Sequence, residues 1–268
     1  MLSLAVIGDP INHSLSPIIH NASILNLGLE KQFQYEKINV KPNHLQIFIE
    51  TIQKTKLIGF NVTLPHKYKI LQYLDKIDKS ASIIGAVNTV VVEKSILCGY
   101  NTDIDGFINS LLENNIEIKN KNFLVIGAGG AALAVVYGLL REGAMVEIIN
   151  RSEQNALFLK KKLDEFGSIK VIKKPNFNDF DSIINTTSVG MDGVSIPINA
   201  DSINDNHTVI DIIYNPNITP LLKIAKSSGA RVINGIGMLI NQGALSFKLF
   251  TGMEPNKNIM LEAIKKHL

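Results

Sequence analysis

The chain is almost without cysteine: Cys98 is the single thiol in 268 residues. One thiol excludes an internal disulfide and any cysteine-built metal cluster, so nothing in the composition calls for an oxidising compartment. Charge is nearly balanced as well, with 27 Lys and Arg against 24 Asp and Glu and a formal excess of +3. That excess is too mild for a nucleic-acid footprint and leaves small anions as the charged partners to expect. No apolar run reaches the roughly 18 residues needed to cross a bilayer. The opening MLSLAVIGDP has neither a basic flank nor a small-residue cleavage pattern. We therefore expect a cytoplasmic protein with no membrane and no nucleic-acid partner. Low-complexity tracts, internal repeats and Gly/Ser linkers are missing too, so any domain division must come from the pattern of elements.

What is present is 46% hydrophobic and 19% charged, the composition of a soluble globular protein. The length suits one large domain or two of ordinary size. Short β-branched runs occur at 4–8, 59–62, 87–92, 122–127, 145–150, 181–186, 208–212 and 230–233, separated by longer helix-like stretches. This alternation predicts an α/β class with βαβ units and mainly parallel sheets. In SPIIHNASILNLG, Ser16 reads as an N-cap, Pro17 as the first helical residue and Gly28 as the stop. The amphipathic stretch 104–115 precedes the clearest nucleotide motif, which places a boundary at 102/103; a second falls at 236/237, after which two helical stretches have no strand. The expected arrangement is two α/β domains, 1–102 plus 237–268 and 103–236, with the C-terminal helices packing back on the first.

NFLVIGAGGAALAVVYGLL is a strand, a glycine turn and a helix, with Gly127, Gly129 and Ala132 fitting G-x-G-x-x-G/A. Gly127 turns the chain, Gly129 lets backbone amides approach a pyrophosphate, and Ala132 allows the helix to sit close to the strand. The helix N-terminus supplies the anion site, with Ala128, Gly130 and Ala131 as its other backbone contacts. The following strand ends in INRS, where an NAD site usually carries Asp or Glu on the ribose hydroxyls; Asn150, Arg151 and Ser152 stand there instead. A guanidinium pairs with a 2′-phosphate that an acid would repel, so NADP is expected over NAD.

Four polar clusters in the first half need a ligand or a structural reason: NHSLSP (12–17), NVTLPHK (61–67), GAVNT (85–89) and YNTD (100–103). All flank short strands, where parallel sheets present ligand-binding loops. Singly, each has a plain explanation: a helix cap, a strand end, a solvated lysine. Together, and with GAGGAA (127–132), NRS (150–152), NTTSVGM (185–191), DIIYNP (211–216) and NGIGMLINQGALSF (234–247), they resemble the shikimate dehydrogenase family in order and spacing. The likeness covers nearly the whole chain.

The resemblance implies a two-domain enzyme, an N-terminal substrate domain and a Rossmann-type NADP domain, that reversibly reduces 3-dehydroshikimate to shikimate on the route to chorismate and the aromatic amino acids. It implies that Ser14 and Ser16 hold the substrate carboxylate and that Asn61, Thr63, Asn88 and Gln242 hold the ring hydroxyls or the carboxylate. Lys67 and Asp103 are the implied catalytic pair. A protonated Lys67 can neutralise charge developing on the ketone oxygen, and Asp103 can orient it and share a hydroxyl. Tyr214 falls near the substrate, Gly235 and Met238 near the nicotinamide, and Thr186, Thr187 and Ser188 beside the cofactor. The lysine already supplies the positive charge, so no metal is implied, and the chain would act as a monomer or homodimer.

The chain departs from the family pattern at a few places. A further basic residue is usual after the Asn-Arg pair, but here Glu153, Gln154 and Asn155 follow, leaving Arg151 nearly alone on the 2′-phosphate. Phe250 stands where the family commonly has tryptophan, a packing change. His66 lies inside NVTLPHK but is not expected to act. A quinate or quinate/shikimate dehydrogenase is the near alternative, and a non-catalytic nucleotide-binding regulator the distant one. Serine at position 14 suits the planar substrate, and a regulator has no need of both Lys67 and Asp103.

Overall fold

A computed structural model, describing residues 1–52 and 54–268, makes the apolar run at the start of the chain strand β1 (Leu2–Gly8), five of whose seven residues are buried in sequence. It is followed by α1 (Ser16–Asn26), β2 (Phe33–Asn39), α2 (Leu45–Ile52), β3 (Leu57–Val62), β4 (Lys76–Ile77), α3 (Lys79–Ile84), β5 (Thr89–Glu93) and β6 (Ile96–Tyr100). These strands form one sheet in the order β2-β1-β3-β5-β6-β4. The chain divides into two compact units, Met1–Thr102 with Ile240–His267 and Asp103–Leu239.

The first sheet is mixed rather than mainly parallel. β1 runs parallel to β2 and β3, whereas β5 is antiparallel to both β3 and β6. The cause is a two-residue hairpin: Lys94 (φ 50°) and Ser95 (φ 69°) both adopt the left-handed conformation that a type I′ turn requires. Lys-Ser is not a usual pair for that turn, so the pattern of residues reveals β5 but not β6. β2 escapes for another reason. In FQYEKIN the burial alternates irregularly, ieBeeie, because this is an edge strand with Tyr35 as its one buried residue.

Helix α1 also differs from expectation at its start. Its N-cap is Leu15, Ser16 is the first helical residue, and the hydroxyl that accepts the Ser16 N–H is that of Ser14, at 3.3 Å. Its end is as expected: Gly28 (φ 67°) reverses the chain, with its N–H on the Leu25 carbonyl and the Leu29 N–H on the Ile24 carbonyl. The core of this unit gathers Ile7, Leu45, Phe60, Val62 and Val90 between the sheet and α2. Phe60 is fully buried and meets Phe48 edge to face at 5.5 Å. Truncating so central a ring to alanine costs about 3–5 kcal/mol.

The second unit contains α4 (Asp103–Glu113), β7 (Asn122–Ile126), α5 (Gly130–Arg141), β8 (Met145–Ile149), α6 (Glu153–Leu163), β9 (Ile169–Val171), β10 (Ser182–Asn185), β11 (Thr208–Asp211), α7 (Pro220–Ser227) and β12 (Arg231–Ile233). All strand pairs here are parallel and the order is β12-β11-β10-β7-β8-β9. Numbered from β7, this is the 3-2-1-4-5-6 order of a doubly wound dinucleotide-binding sheet, with its switch point between β7 and β10. The last helices, α8 (Ile236–Thr251) and α9 (Lys257–Ile264), lie mostly in the first unit. Phe250, buried at 7% exposure, fills the space above Gly59 on β3, where a Cβ would sit 2.4 Å from its ring.

Candidate active site

In the first unit the polar clusters flank strands, as expected, and three of them meet. The loop after β3 turns at Thr63, where the His66 N–H donates to the Thr63 carbonyl at 2.9 Å across a cis Leu64–Pro65 bond. The Thr63 N–H donates to the Ile7 carbonyl at 2.9 Å and the Asp9 N–H to the Leu64 carbonyl at 3.0 Å, so the loops after β1 and β3 are fastened to each other. The Lys67 carbonyl accepts from the Val87 N–H at 2.9 Å, tying in the segment before β5. Lys67 and Thr63 are half-buried at this edge. His66 is fully buried with Nε2 2.6 Å from the Val40 carbonyl, which ties the loop to the residue after β2.

Below the loops lies a hydrogen-bonded polar core. Asn61 is 6% exposed. Its Nδ2 donates toward the Asn88 carbonyl (3.2 Å), Thr89 Oγ1 (3.1 Å) and Ser246 Oγ (2.9 Å), while its Oδ1 accepts from the Tyr35 hydroxyl at 2.7 Å. Asn88 Oδ1 accepts the Thr102 N–H at 2.8 Å, and its Nδ2 donates to Thr102 Oγ1 at 2.9 Å. Ser246 on α8 donates to the Gln242 carbonyl at 3.0 Å and lies 3.0 Å from Thr102 Oγ1. Buried polar groups stay only when partnered, and this set partners one another across β3, β5, the end of β6 and α8. Sequence reasoning singles out Asn61 and Asn88 but not Tyr35, Thr89, Thr102 or Ser246; Thr89 and Thr102 stand inside the quoted clusters, whereas Tyr35 and Ser246 carry no local signal. Ser14 and Ser16 are half-buried at the start of α1.

In the second unit the glycine loop follows β7 at the switch point. Gly127 has φ 115°, and a Cβ there would lie 2.5 Å from Thr186 Oγ1 and 3.0 Å from Thr187 Cγ2. The loops after β7 and β10 are therefore in contact. Gly129 caps α5 with φ −92° and has nothing within 4 Å of a built Cβ, an open face beside the helix N-terminus. Ala132 is fully buried, and Ala128, Gly130 and Ala131 are half-buried beside the open position. After β8, Asn150 Nδ2 donates to the Ser152 carbonyl at 2.8 Å, Ser152 caps α6, and Arg151 is exposed. Glu153 pairs with Lys173 after β9 at 3.2 Å. A dinucleotide fits this set: an open glycine edge, a free helix start and a cation, with no acid at the end of β8.

Thr187 donates from both its N–H (3.0 Å) and its hydroxyl (2.7 Å) to Asn185 Oδ1, and Ser188 is exposed after it. Tyr214 is half-buried after β11, and burial raises its phenol above the ordinary value. Gly235 is backed so closely by the Ile212 carbonyl that a Cβ would sit 1.9 Å from it; its N–H donates to the Ile213 carbonyl at 3.0 Å. Met238 is half-buried in the first turn of α8, and Asp103 opens α4 at 8% exposure. Among the described residues no cluster of three or more His, Cys, Asp or Glu could hold a metal, and no helix is long and apolar enough to cross a membrane.

Comparison with known proteins agrees with the motif resemblance. Residues 6–90 match the family model of the shikimate dehydrogenase substrate binding domain, and 235–265 that of the shikimate 5'-dehydrogenase C-terminal domain. The chain is 43% identical to a shikimate dehydrogenase (NADP(+)) of Nitrosopumilus maritimus, over 98% of this chain and 97% of that protein. Among solved structures, shikimate dehydrogenase from Aquifex aeolicus superposes with a TM-score of 0.93 at 39% identity, covering 99% of this chain and 98% of that one. The Thermus thermophilus enzyme in complex with NADP(H) and shikimate gives 0.93 at 35% identity, covering both chains completely. The chain belongs to the shikimate dehydrogenase family.

Proposed function

We propose that this protein is an NADP-dependent shikimate dehydrogenase that interconverts 3-dehydroshikimate and shikimate, a step toward chorismate and the aromatic amino acids. Family membership over the full chain carries the reading. The end of β8, with Arg151 in place of an acid, supports NADP as the cofactor. We assign the enzyme to the cytoplasm, as a monomer or homodimer.

Bound NADPH supplies the hydride; the chain's residues bind, orient and move the proton. Ser14 and Ser16 donate from their hydroxyls to the substrate carboxylate beside the start of α1, without a buried cation. Thr63, Asn88, Gln242 and, at the floor, Asn61 set the ring hydroxyls. The Lys67 ammonium donates its proton to the ketone oxygen as negative charge develops there, and takes one back in the oxidative direction. Asp103 is assigned to orient that ammonium, and Tyr214 to the neighbourhood of the substrate. The open edge at Gly127, Ala128, Gly129, Gly130 and Ala131 takes the pyrophosphate. Asn150, Arg151 and Ser152 take the phosphorylated ribose, while Thr187, Ser188, Gly235 and Met238 flank the nicotinamide half.

The test is a steady-state assay of shikimate oxidation followed at the nicotinamide absorbance, with NADP+ and NAD+ in parallel and quinate as a second substrate. Turnover of shikimate with NADP+ preferred is expected. Equal or better turnover of quinate overturns the narrow substrate assignment.

A further inference from the structure

We propose that Tyr35 is a positioning residue for the reaction: its buried hydroxyl, donated to Asn61, and its ring, stacked on His20 of α1, set the start of α1 and the β3 loop in register. The inference rests on the substrate-side assignments of Ser16, Thr63 and Lys67 made above.

Tyr35 is fastened to α1 at several points. Its ring stacks on His20 with centroids 4.1 Å apart and planes 6° from parallel. The Asn21 side chain brackets its backbone, donating from Nδ2 to the Tyr35 carbonyl at 2.8 Å and accepting the Tyr35 N–H at Oδ1 at 3.0 Å. Ser16 and His20 are four residues apart on α1 and so share the face that meets Tyr35. On its other side the hydroxyl donates to Asn61 Oδ1 at 2.7 Å, one residue before the end of β3. Burial raises the phenol well above its ordinary value, so it stays a donor wherever the fold persists.

Asn61 makes this bond consequential. Its amide nitrogen faces three acceptors from two segments, the Asn88 carbonyl and Thr89 Oγ1 at the start of β5 and Ser246 Oγ on α8. Only one orientation of the amide satisfies both ends: the Asn88 carbonyl, which can only accept, holds the nitrogen on its side, and the Tyr35 hydroxyl supplies the donor for the oxygen. Without that donor the buried Oδ1 loses its hydrogen bond and the reverse orientation would set oxygen against three acceptors. Loosening at Asn61 passes directly to Thr63 and Lys67, on the same strand and the loop it feeds.

Tyr35→Phe removes the hydroxyl and keeps the ring stack and the Asn21 bracket. We expect its KM for shikimate to rise about tenfold while its KM for NADP+ stays within about twofold of the parent, because Tyr35, Asn61 and Ser16 all belong to the first unit. In a double-mutant cycle with Ser16→Ala, the combined rise in KM should fall short of the product of the single rises. A lowered melting temperature with an unchanged KM for shikimate, or strictly multiplicative effects in the cycle, overturns the proposal. Should Tyr35→Phe not fold, Ser246→Ala removes another partner of the same amide; a raised KM supports the proposal and an unchanged KM overturns it. A parent protein inert toward shikimate is a different outcome, and overturns the functional reading on which the proposal stands.

Discussion

Asn185 and Asp211 are joined side chain to side chain at the ends of β10 and β11, with the Asn185 amide nitrogen 3.1 Å from each carboxylate oxygen. The same carboxylate accepts the Ile213 N–H at 3.0 Å and the Thr219 hydroxyl at 2.8 Å. Asn185 Oδ1 meanwhile holds Thr187. One buried acid thus sets the loops that carry Thr187 and Tyr214. Burial raises its pKa despite these donors. The folded chain therefore holds this proton more tightly than the unfolded one, and stability from this group is lost as pH rises through the folded value.

Asp211→Asn keeps the shape but sets an amide nitrogen among donors, and Asn185 cannot flip to compensate without releasing Thr187. We expect a melting temperature lower by several degrees and a raised KM for NADP+. An unchanged melting temperature and KM would show the pair to be incidental.

Lys67 is assigned the proton transfer. Lys67→Ala should lower kcat by about 10²–10⁴-fold, the usual worth of a positioned acid or base. KM for shikimate should change only a few-fold, because the interaction belongs to the transition state. Steady-state rates at saturating shikimate and NADP+ give the answer, and an unaltered kcat removes Lys67 from this role.

The second sheet is legible in the sequence because its runs are continuous and β-branched, and because GAGGAA marks the turn after its first strand. Its short β9 is not, since three residues carry no periodicity. The first sheet is half legible: β6 and β2 are hidden by an unusual hairpin pair and an irregular edge. Among site residues, those on loops announce themselves by polar clustering. Tyr35 and Ser246 do not, because a lone hydroxyl in an apolar element looks like core until the partner 26 or 185 residues away in sequence is brought against it.

His20 predicts an acid sensitivity. It is fully buried between the rings of Tyr35 and Phe247, neither nitrogen has a hydrogen-bond partner among the described residues, and desolvation lowers its pKa from 6.5 to about 3. Between those values the unfolded chain binds a proton that the folded chain refuses, so stability falls as pH drops below 6.5. At about pH 5 the difference is about 2 kcal/mol. His20→Phe keeps a stacking ring without the titration, and its acid-unfolding midpoint, followed by circular dichroism, should move to lower pH. A midpoint that stays where it was would mean that other groups govern acid unfolding.

Cofactor choice should respond at the start of α6. Arg151 is exposed and Glu153 is engaged by Lys173 across a solvent-accessible 3.2 Å pair, which screening makes weak. Arg151→Ala is expected to raise KM for NADP+ at least tenfold and leave KM for NAD+ little changed. Glu153→Arg should act in the opposite sense and lower KM for NADP+. Parallel shifts for both cofactors would place the 2′-phosphate elsewhere.

Gly127 and Gly129 separate a requirement of the fold from a requirement of the ligand. At Gly127 a methyl group would meet Thr186 Oγ1 at 2.5 Å on a backbone at φ 115°, so Gly127→Ala should lower the melting temperature whether or not cofactor is present. At Gly129 the backbone lies at φ −92° and the added methyl meets nothing within 4 Å. Gly129→Ala should therefore unfold within about two degrees of the parent, since no steric term opposes it. Its KM for NADP+ should nevertheless rise about tenfold or more, because the methyl group occupies the face left for the pyrophosphate. Thermal unfolding and cofactor titration of the two variants decide the matter. Equal losses of stability in both would make the glycines ordinary turn residues, whereas stability lost at one and cofactor affinity lost at the other is what the open face requires.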